Sequence, residues 1–454
     1  MTRKDFLKGF GALAAGAAVV RTADGKIVMR ADEQEAHDRW AAWDAKAPAG
    51  LLDSDPFLQV PAANSMGVAF AVKAYATGFA EVADNPELRN AVRFETEGVP
   101  MAKIDPRVLQ VRMTGLKPST RYWYRVGAAA LTHPVGYWTK PSPIVWSDVY
   151  SFTTCGAKSE SRFGFISDTH AEWASFVLTV RKLHALKLPV TVWGGDIPPS
   201  MIQDEETAVQ YLLKPPIDAK MLAVNSPTFF LDGNHDYRGE WNICNPHRVM
   251  LPRLEAERSE RFRALTRNFA VRQGDIAMIG LETGEDKPDF HPANGGLTRF
   301  AKFRSLQTEW LKEQLKRPEI ASAPFVVAFC HIPLFDPRPD ANPGTILENW
   351  ADYQGQCAAE WGPVLTAHGV QLVVCGHKHL LQFDPAEGGR AWAQIRGGGP
   401  ELGYVGWGDN KKPDPTRFPT VIEGRVENGK LVVEAHDVMH DRVALRREFS
   451  ARKV

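Results

Sequence analysis

The spacing of hydrophobic residues divides the chain into two regions. Between Phe57 and Thr154, short alternating runs such as GVAFAV and RYWYRV are separated by clusters of Gly, Pro, Asn and Asp. This pattern is typical of a small β-sandwich. From Phe163 onward, apolar runs alternate with amphipathic stretches, which predicts an α/β domain with a largely buried sheet. The predicted strands are FGFIS, VTVWGG, TFFLDG, IAMIGLE, FVVAFCH and VQLVVCGH.

The residues before the sandwich predict an export signal followed by a spacer. The start, MTRKDFLKGFGALAAGAAVV, has a basic front and an apolar run too short to span a membrane as a stable helix. It resembles a twin-arginine signal with Lys4 at the second arginine, and an amphipathic N-terminal helix is the alternative. We therefore predict an export signal over 1–23, a polar leader or linker over 24–54, a sandwich over 55–156, and a periplasmic or secreted location.

The balance of charged residues argues against some classes of binding partner. Among 454 residues, Lys plus Arg and Asp plus Glu both number 54, so there is no strong signal for nucleic acid or an anionic membrane. The five cysteines show no CxxC spacing and are too scattered for a disulfide framework. Cys330 and Cys375 each end an apolar run and are predicted to be buried. The sequence leaves the oligomeric state open.

Five of the predicted strands are followed by side chains that can bind metal. The carboxyl ends of strands in one sheet converge, so we expect these groups to meet despite their separation in the chain. Each one alone is also ordinary turn chemistry or a satisfied polar residue. Their recurrence in order favours a shared site. The segments are Asp168-Thr169-His170, Gly195-Asp196, Gly233-Asn234-His235-Asp236, His331 and Gly376-His377-Lys378-His379.

The donor types indicate a transition-metal site. Two carboxylates, one amide oxygen and four imidazoles suit Mn, Fe or Zn better than Ca or Mg alone. Two such ions about 3.5–4 Å apart can hold a bridging hydroxide and clamp phosphoryl oxygens during in-line attack. Gly195 and Gly376 are consistent with a backbone that approaches the site closely.

The ordered motifs resemble the calcineurin-like metallophosphoesterases, whose pattern runs D-x-H, G-D, G-N-H-[D/E], H, G-H-x-H. The resemblance covers roughly residues 160–440. It implies a four-layer α/β/β/α catalytic domain, which we assign to 160–445, and a dinuclear metal centre. By position it implies two groups of ligands and a bridge: Asp168, His170 and His379 for one ion, Asn234, His331 and His377 for the other, and Asp196 between them.

The stretch GNHDYRG resembles the GNHE-x-RG form of sandwich-bearing bacterial relatives. The resemblance leaves His235 unligated and facing the leaving-group oxygen as a general acid, with Asp236 holding its tautomer and orientation. Arg238 follows closely enough to reach a phosphate oxygen, and a solvated arginine is the alternative.

The stretches LQVRMTGLKPSTRYWYRVG and WSDVYSFTT resemble the fibronectin type III-like domain that precedes the catalytic domain in purple acid phosphatases and related bacterial enzymes. His170 stands where purple acid phosphatases have the glycine of D-x-G, and Pro199 stands where they have a tyrosine. These departures imply a non-purple site without iron-phenolate colour. The implied framework positions are Leu116, Pro118, Thr120, Tyr122, Tyr124 and Val126.

Together, these features predict an exported phosphoesterase with two divalent or trivalent transition-metal ions and a metal-bridging hydroxide as nucleophile. Its substrate would be a small-molecule or extracellular phosphoester. A phosphomonoesterase is favoured. The alternatives are a phosphodiesterase of nucleotide or phospholipid type and a non-catalytic binding or scaffold protein that retains the fold.

Overall fold

The computed structural model describes residues 20–21, 27–28, 31–96, 102–292, 295–336, 350–405 and 411–453. Apart from Val20 and Arg21, the predicted export signal lies outside these residues. None of the helices within the described ranges is long and apolar enough to cross a membrane.

The described residues up to Thr153 form mainly strands, with one polar helix ahead of the sandwich. The elements are β1 (Val20–Arg21), β2 (Ile27–Val28), α1 (Ala31–Ala42), β3 (Phe57–Gln59), β4 (Ser65–Ala71), β5 (Ala76–Ala83), β6 (Val92–Glu95), β7 (Val108–Thr114), β8 (Arg121–Val135), β9 (Trp138–Pro141), β10 (Val145–Trp146) and β11 (Tyr150–Thr153).

The remaining described residues alternate strands and helices over most of their length, as their hydrophobic pattern predicts, and end in a run of strands. The elements are β12 (Arg162–Ile166), α2 (Trp173–Leu186), β13 (Thr191–Trp193), α3 (Glu205–Leu212), β14 (Thr228–Phe230), α4 (Glu240–Cys244), α5 (Leu254–Glu257), β15 (Phe269–Gln273), β16 (Ile276–Gly280), α6 (Phe300–Gln314), α7 (Pro318–Ala321), β17 (Phe325–Phe329), α8 (Trp350–Ala367), β18 (Leu372–Cys375), β19 (Gln382–Asp384), β20 (Ala393–Arg396), β21 (Tyr404–Val405), β22 (Lys412–Pro413), β23 (Thr420–Glu427), β24 (Lys430–Asp437) and β25 (Arg442–Ser450). Short 3-10 helices lie at Ala219–Met221 and His235–Tyr237.

The N-terminal strands enclose their own hydrophobic core. Strand β8 pairs with β5, β9, β10 and β11, and its buried side chains pack against those of β4 and β7. Tyr124 and Val126, two of the predicted framework residues, are fully buried in this core. The Tyr122 hydroxyl accepts a hydrogen bond from the backbone N–H of Lys117 at 3.0 Å. This bond holds the turn that leads into β8.

Strands from both regions share one sheet, in the order β25-β24-β23-β12-β13-β14-β3-β4-β7. The junction is the parallel pairing of β14 with β3, where Thr228 lies opposite Gln59. The buried Gln59 side chain accepts a hydrogen bond from Leu251 N at 2.8 Å and donates one to Val249 O at 3.2 Å. The division of the chain near residues 156–160 stays a prediction, and the sheet itself continues across it.

Two sheets pack face to face, with helices on their outer sides. The second sheet has the order β15-β16-β17-β18-β20-β19, and aromatic residues fill the space between the sheets, as in the 5.0 Å contact of the Phe163 and Phe329 rings. Helices α2 and α3 cover the first sheet, and α6 and α8 cover the second. This is the predicted α/β/β/α arrangement. Cys330 and Cys375 are buried in the core beneath α6 and α8, as expected.

Candidate metal centre

The ends of five strands bring the predicted ligands together. The loops after β12, β13 and β14 carry Asp168, His170, Asp196 and Asn234, while those after β17 and β18 carry His331, His377 and His379. The expectation that one sheet supplies them all is wrong, because β17 and β18 belong to the second sheet. The site therefore lies where the carboxyl ends of two facing sheets meet.

The first predicted ligand group is closely packed. The Nε2 atoms of His170 and His379 lie 3.0 Å apart, and His379 Nε2 lies 3.4 Å from Asp168 Oδ1. His170 Nδ1 lies 3.0 Å from Pro198 O, which fixes the ring so that Nε2 faces the site. All three side chains can reach a single ion.

The second predicted ligand group is also closely packed. Asn234 Oδ1 lies 2.9 Å from His377 Nδ1 and 3.2 Å from His331 Nε2. These two ring nitrogens are 3.3 Å apart. The other nitrogen of His331 lies 2.7 Å from Gly194 O, a contact that directs Nε2 toward Asn234.

Asp196 lies between the two groups. Its Oδ2 is 3.3 Å from His331 Nε2 and 3.6 Å from His170 Nε2. Its Oδ1 accepts a hydrogen bond from the backbone N–H of His235 at 2.9 Å. A carboxylate in this position can contact an ion in either group, and its bridging role stays a prediction.

The backbone beneath the ligands is strained. Left-handed backbone conformations at residues other than glycine cost about 1–3 kcal/mol each and are concentrated at functional sites. A Cβ atom at Gly376 would lie 2.2 Å from Asp168 Oδ2 and one at Gly195 would lie 2.3 Å from Gly233 N, so both positions require glycine. The ligands with positive φ are Asp168 (54°), His170 (46°), Asp196 (53°), His377 (71°) and His379 (54°).

The electrostatics of the site favour a bound cation. Burial opposes ionisation of Asp168, but His379 and His331 lower its pKa to about 2. Burial likewise opposes protonation of His331, but Asp196 raises its pKa to about 10. Burial and the neighbouring His331 lower the pKa of His377 to about 3. Buried carboxylates thus draw positive charge onto neighbouring rings, a charge that a metal ion can supply instead.

The facing ring nitrogens give an independent test of whether the residues fit a metal pair. His170 Nε2 and His379 Nε2, at 3.0 Å, cannot both carry a proton directed at the other. Ring nitrogens whose lone pairs converge beside a carboxylate are the donor set that transition metals bind. The donor set therefore fits a dinuclear centre.

His235 lies beside the metal groups with its side chain 21% exposed, and its Nε2 is 4.0 Å from Asp196 Oδ2. It is also within ligand reach of His170 and Asp196. Burial is the main cause that lowers the pKa of His235 to about 4. Arg238 Nη1 donates to His235 Nε2 at 2.9 Å.

The expected contact between Asp236 and the His235 ring is wrong. The Asp236 carboxylate instead accepts hydrogen bonds from the backbone N–H groups of Asp196 (2.7 Å) and Gly233 (2.8 Å). His235 Nδ1 is buried and has no hydrogen-bond partner among the described residues. The two residues lie in a 3-10 helix, where successive side chains point about 120° apart because a turn holds three residues. Asp236 therefore fixes the loop that carries Asp196, not the imidazole.

Three acidic residues near the site were missed by the sequence prediction. Glu401 Oε1 lies 2.7 Å from His379 Nδ1, and Glu285 and Asp286 both form ion pairs with Arg238 at 3.3 Å. Glu285 and Asp286 follow the predicted strand IAMIGLE, so they are another polar strand end. Glu401 follows the stretch RGGGP, residues 396–400. Its glycines predict a turn, but nothing in the local sequence predicts a contact with His379.

Two family models match the chain. The model for the calcineurin-like phosphoesterases matches residues 161–381. The model for the purple acid phosphatase N-terminal domain matches residues 56–154. The matches agree with the two resemblances noted in the sequence.

Two curated relatives are similar to the chain. Purple acid phosphatase 23 of Arabidopsis thaliana is 22% identical over 292 residues, which are 60% of this chain and 56% of the relative. Tartrate-resistant acid phosphatase type 5 of Rattus norvegicus is 24% identical over 220 residues, which are 46% of this chain and 55% of the relative. The chain thus spans a little over half the length of these relatives.

Solved structures share the fold. A purple acid phosphatase from yellow lupin (Lupinus luteus) seeds has a TM-score of 0.60 at 13% identity, covering 88% of this chain and 75% of its own. PhoD has a TM-score of 0.58 at 12% identity, covering 90% of this chain and 94% of its own. The chain therefore combines a calcineurin-like phosphoesterase domain with a purple acid phosphatase N-terminal domain.

Proposed function

We propose that the protein is an exported, metal-dependent phosphoester hydrolase that acts on phosphomonoesters. The observation that supports this most directly is the pair of buried ligand groups on either side of Asp196, with His235 beside them. The similarity to two acid phosphatases supports the same chemistry.

The seven predicted ligands would hold two ions drawn from Mn, Fe or Zn, the metals that mixed nitrogen and oxygen donors select. When bound, such a pair supplies an activated water and neutralises the charge of the phosphoryl oxygens. Asp196 would contact both ions, and Glu401 would keep the proton of His379 on Nδ1 so that Nε2 stays a donor to the metal.

The remaining polar residues would act on the substrate. His235 is partly exposed beside the ligand groups, which suits transfer of a proton to the leaving-group oxygen. The Arg238 guanidinium lies next to it and would bind a phosphoryl oxygen. Asp236 would act indirectly, by holding the backbone of Asp196 and Gly233.

The N-terminal segment and the charge balance support export and a preference for monoesters. Residues 1–23 favour export, and an exported enzyme of neutral net charge suits phosphate release from small esters better than cleavage of nucleic acid. Phosphodiester hydrolysis uses the same metal core, so a substrate comparison must decide between the two. Fractionation of cells that produce the chain with and without residues 1–23 tests the location.

The test is a substrate panel on metal-loaded protein, comprising an activated aryl phosphate, nucleotides, sugar phosphates, phosphodiesters and phospholipids. We expect hydrolysis of monoesters that a chelator abolishes and that Mn or Zn restores. Faster hydrolysis of diesters would replace the monoester assignment. Protein that binds its metals and hydrolyses no ester in the panel would favour the scaffold alternative.

A further inference from the structure

The Arg238 side chain is bound on one edge and directed into the site on the other. Its Nε and Nη2 atoms donate to the two carboxylate oxygens of Glu285, both at 3.3 Å, and Nη2 also donates to Asp286 Oδ1 at 3.3 Å. Nη1 donates to His235 Nε2 at 2.9 Å. The two acids therefore occupy the edge of the guanidinium that faces away from His235.

The segment that carries Glu285 is held firmly by the protein interior. Arg304 of α6 donates from Nε to Thr283 O at 2.8 Å and from Nη2 to Glu285 O at 2.7 Å. The Thr283 hydroxyl accepts a hydrogen bond from the backbone N–H of Ile332, the residue after the predicted ligand His331. The Glu285 side chain is fully buried. This acid is thus a fixed support for Arg238, connected to the loop that carries His331.

Fixing a flexible arginine before the substrate arrives has an energetic consequence. A free arginine loses rotamer entropy when it binds a phosphate, whereas one already held by a carboxylate has lost most of it on folding. The paired carboxylates also keep the guanidinium from turning away toward solvent, and the side chain is only 25% exposed. Two donors of Nη1 then remain for the site, and one of them contacts His235.

We propose that Glu285 and Asp286 are positioning residues that hold Arg238 so that its Nη1 edge binds one non-bridging oxygen of the substrate phosphoryl group beside His235. This inference rests on the proposed function. One Nη1 N–H has no partner among the described residues, so Arg238 can bind one oxygen of the phosphoryl group while it also contacts His235. Phosphate monoesters and inorganic phosphate share that group, so both depend on the two acids.

The experiment measures binding of inorganic phosphate to metal-loaded protein by calorimetry, a readout that needs no turnover. Glu285→Gln keeps the shape of the side chain and removes its charge. We expect it to weaken phosphate binding about tenfold in the wild-type background and less than about twofold in an Arg238→Ala background, because directly contacting residues couple in such cycles. Asp286→Asn, the more exposed partner, should weaken binding about threefold and serves if Glu285→Gln does not fold.

Asp289→Asn is the matched control. Asp289 lies in the same loop and accepts hydrogen bonds from the first backbone N–H groups of α6, Phe300 N (2.7 Å) and Ala301 N (3.2 Å). Removing the charge of Asp289 weakens these hydrogen bonds and loosens the loop, but it removes no contact to Arg238. The affinity for phosphate should therefore change less than about twofold. An equal loss in Asp289→Asn, or an equal effect of Glu285→Gln with and without Arg238, would overturn the inference.

The two proposals fail separately. If the wild type binds phosphate with the expected coupling but hydrolyses no ester, the proposed function is wrong and the positioning role stands. If monoesters are hydrolysed and phosphate binding shows no coupling between Glu285 and Arg238, the positioning role is wrong and the proposed function stands.

Discussion

Two buried groups of acidic and histidine side chains in this protein look alike as lists of donors. One is the centre that contains Asp196, and the other comprises Glu423, Glu434 and His436 on β23 and β24, whose donor atoms also lie within 4.8 Å of one another. In the second group, Arg162 binds Glu423 at 2.7 Å and Arg425 binds Glu434 at 2.8 Å. Within the described part of the chain, Asp168 and Asp196 form ion pairs with histidines only.

The backbone separates the two groups as clearly as the charges do. Asp168, Asp196 and His377 follow strands and have positive φ, whereas Glu423 and Glu434 lie opposite each other within the paired strands β23 and β24. Strained conformations persist where the surrounding fold enforces them, and they mark functional sites. Proximity of donors alone therefore does not identify a metal site. Carboxylates that are held on strained strand ends and face histidines, with no arginine or lysine partner among the described residues, do.

The largest expected effect is that of Asp196→Asn. It removes the charge that lies between both ligand groups, so we expect loss of bound metal and a fall in kcat/KM of more than about 100-fold. Loss of a residue that only supports a metal ligand already costs up to about 100-fold. Activity assays and metal analysis of the same preparation measure both effects. If Asp196→Asn keeps its full metal content and activity, the group around Asp196 would be no more of a metal site than the group on β23 and β24.

His235→Ala should separate catalysis from metal binding. We expect turnover to fall by about 10²–10⁴-fold, with the greatest loss for esters whose leaving group needs a proton. Metal content should stay at the wild-type value if His235 is not a ligand. Equal losses for good and poor leaving groups would argue against the acid role, and loss of an ion would make His235 a ligand.

Glu401→Gln should weaken metal binding at the first ligand group alone. Glu401 holds His379 through Nδ1 at 2.7 Å, and loss of such a partner costs about 10–100-fold in metal affinity. Competition with a chromophoric chelator measures the affinity of each ion. Glu387→Gln is a suitable control because Glu387 is exposed, and it should leave both affinities unchanged.

Glu423→Gln should have the smallest effect on activity and act on stability instead. Glu423 is 3% exposed, and losing its charge leaves Arg162 without its buried partner, so the free energy of unfolding should fall by about 1–3 kcal/mol. Denaturant unfolding measures this change. Metal content and kcat/KM should match the wild type, and a loss of bound metal would make the second group a metal site.

The stability difference between Glu423→Gln and the wild type should also depend on pH. Burial opposes ionisation of Glu423, but the neighbouring His436 and the hydrogen bonds from Arg162 lower its pKa below the ordinary value. A carboxyl whose pKa is lowered on folding stabilises the protein above its unfolded pKa of about 4.3 and loses that contribution as the pH falls through the folded pKa. The difference in the free energy of unfolding between the two proteins should therefore be present at neutral pH and should shrink at acidic pH.

The sequence predicts much of the centre because its ligands follow recognisable strands. It does not predict Glu401 or the pairing of Gln59 with Thr228, because these contacts join segments with no shared local pattern. The role given to Asp236 fails for a local reason: the 3-10 turn directs its side chain away from His235. His235 and Asp236 are therefore neighbours in the sequence whose side chains do not contact each other.

The number of ions bound per chain shows whether the protein holds one dinuclear centre. Wild-type protein and Glu423→Gln, each loaded with Mn or Zn and dialysed against metal-free buffer, should both retain about two ions per chain, since a dinuclear centre at the strand ends accounts for all of them. A wild-type count of one or none, or a count that falls when Glu423 is changed, would contradict a single dinuclear centre at the strand ends.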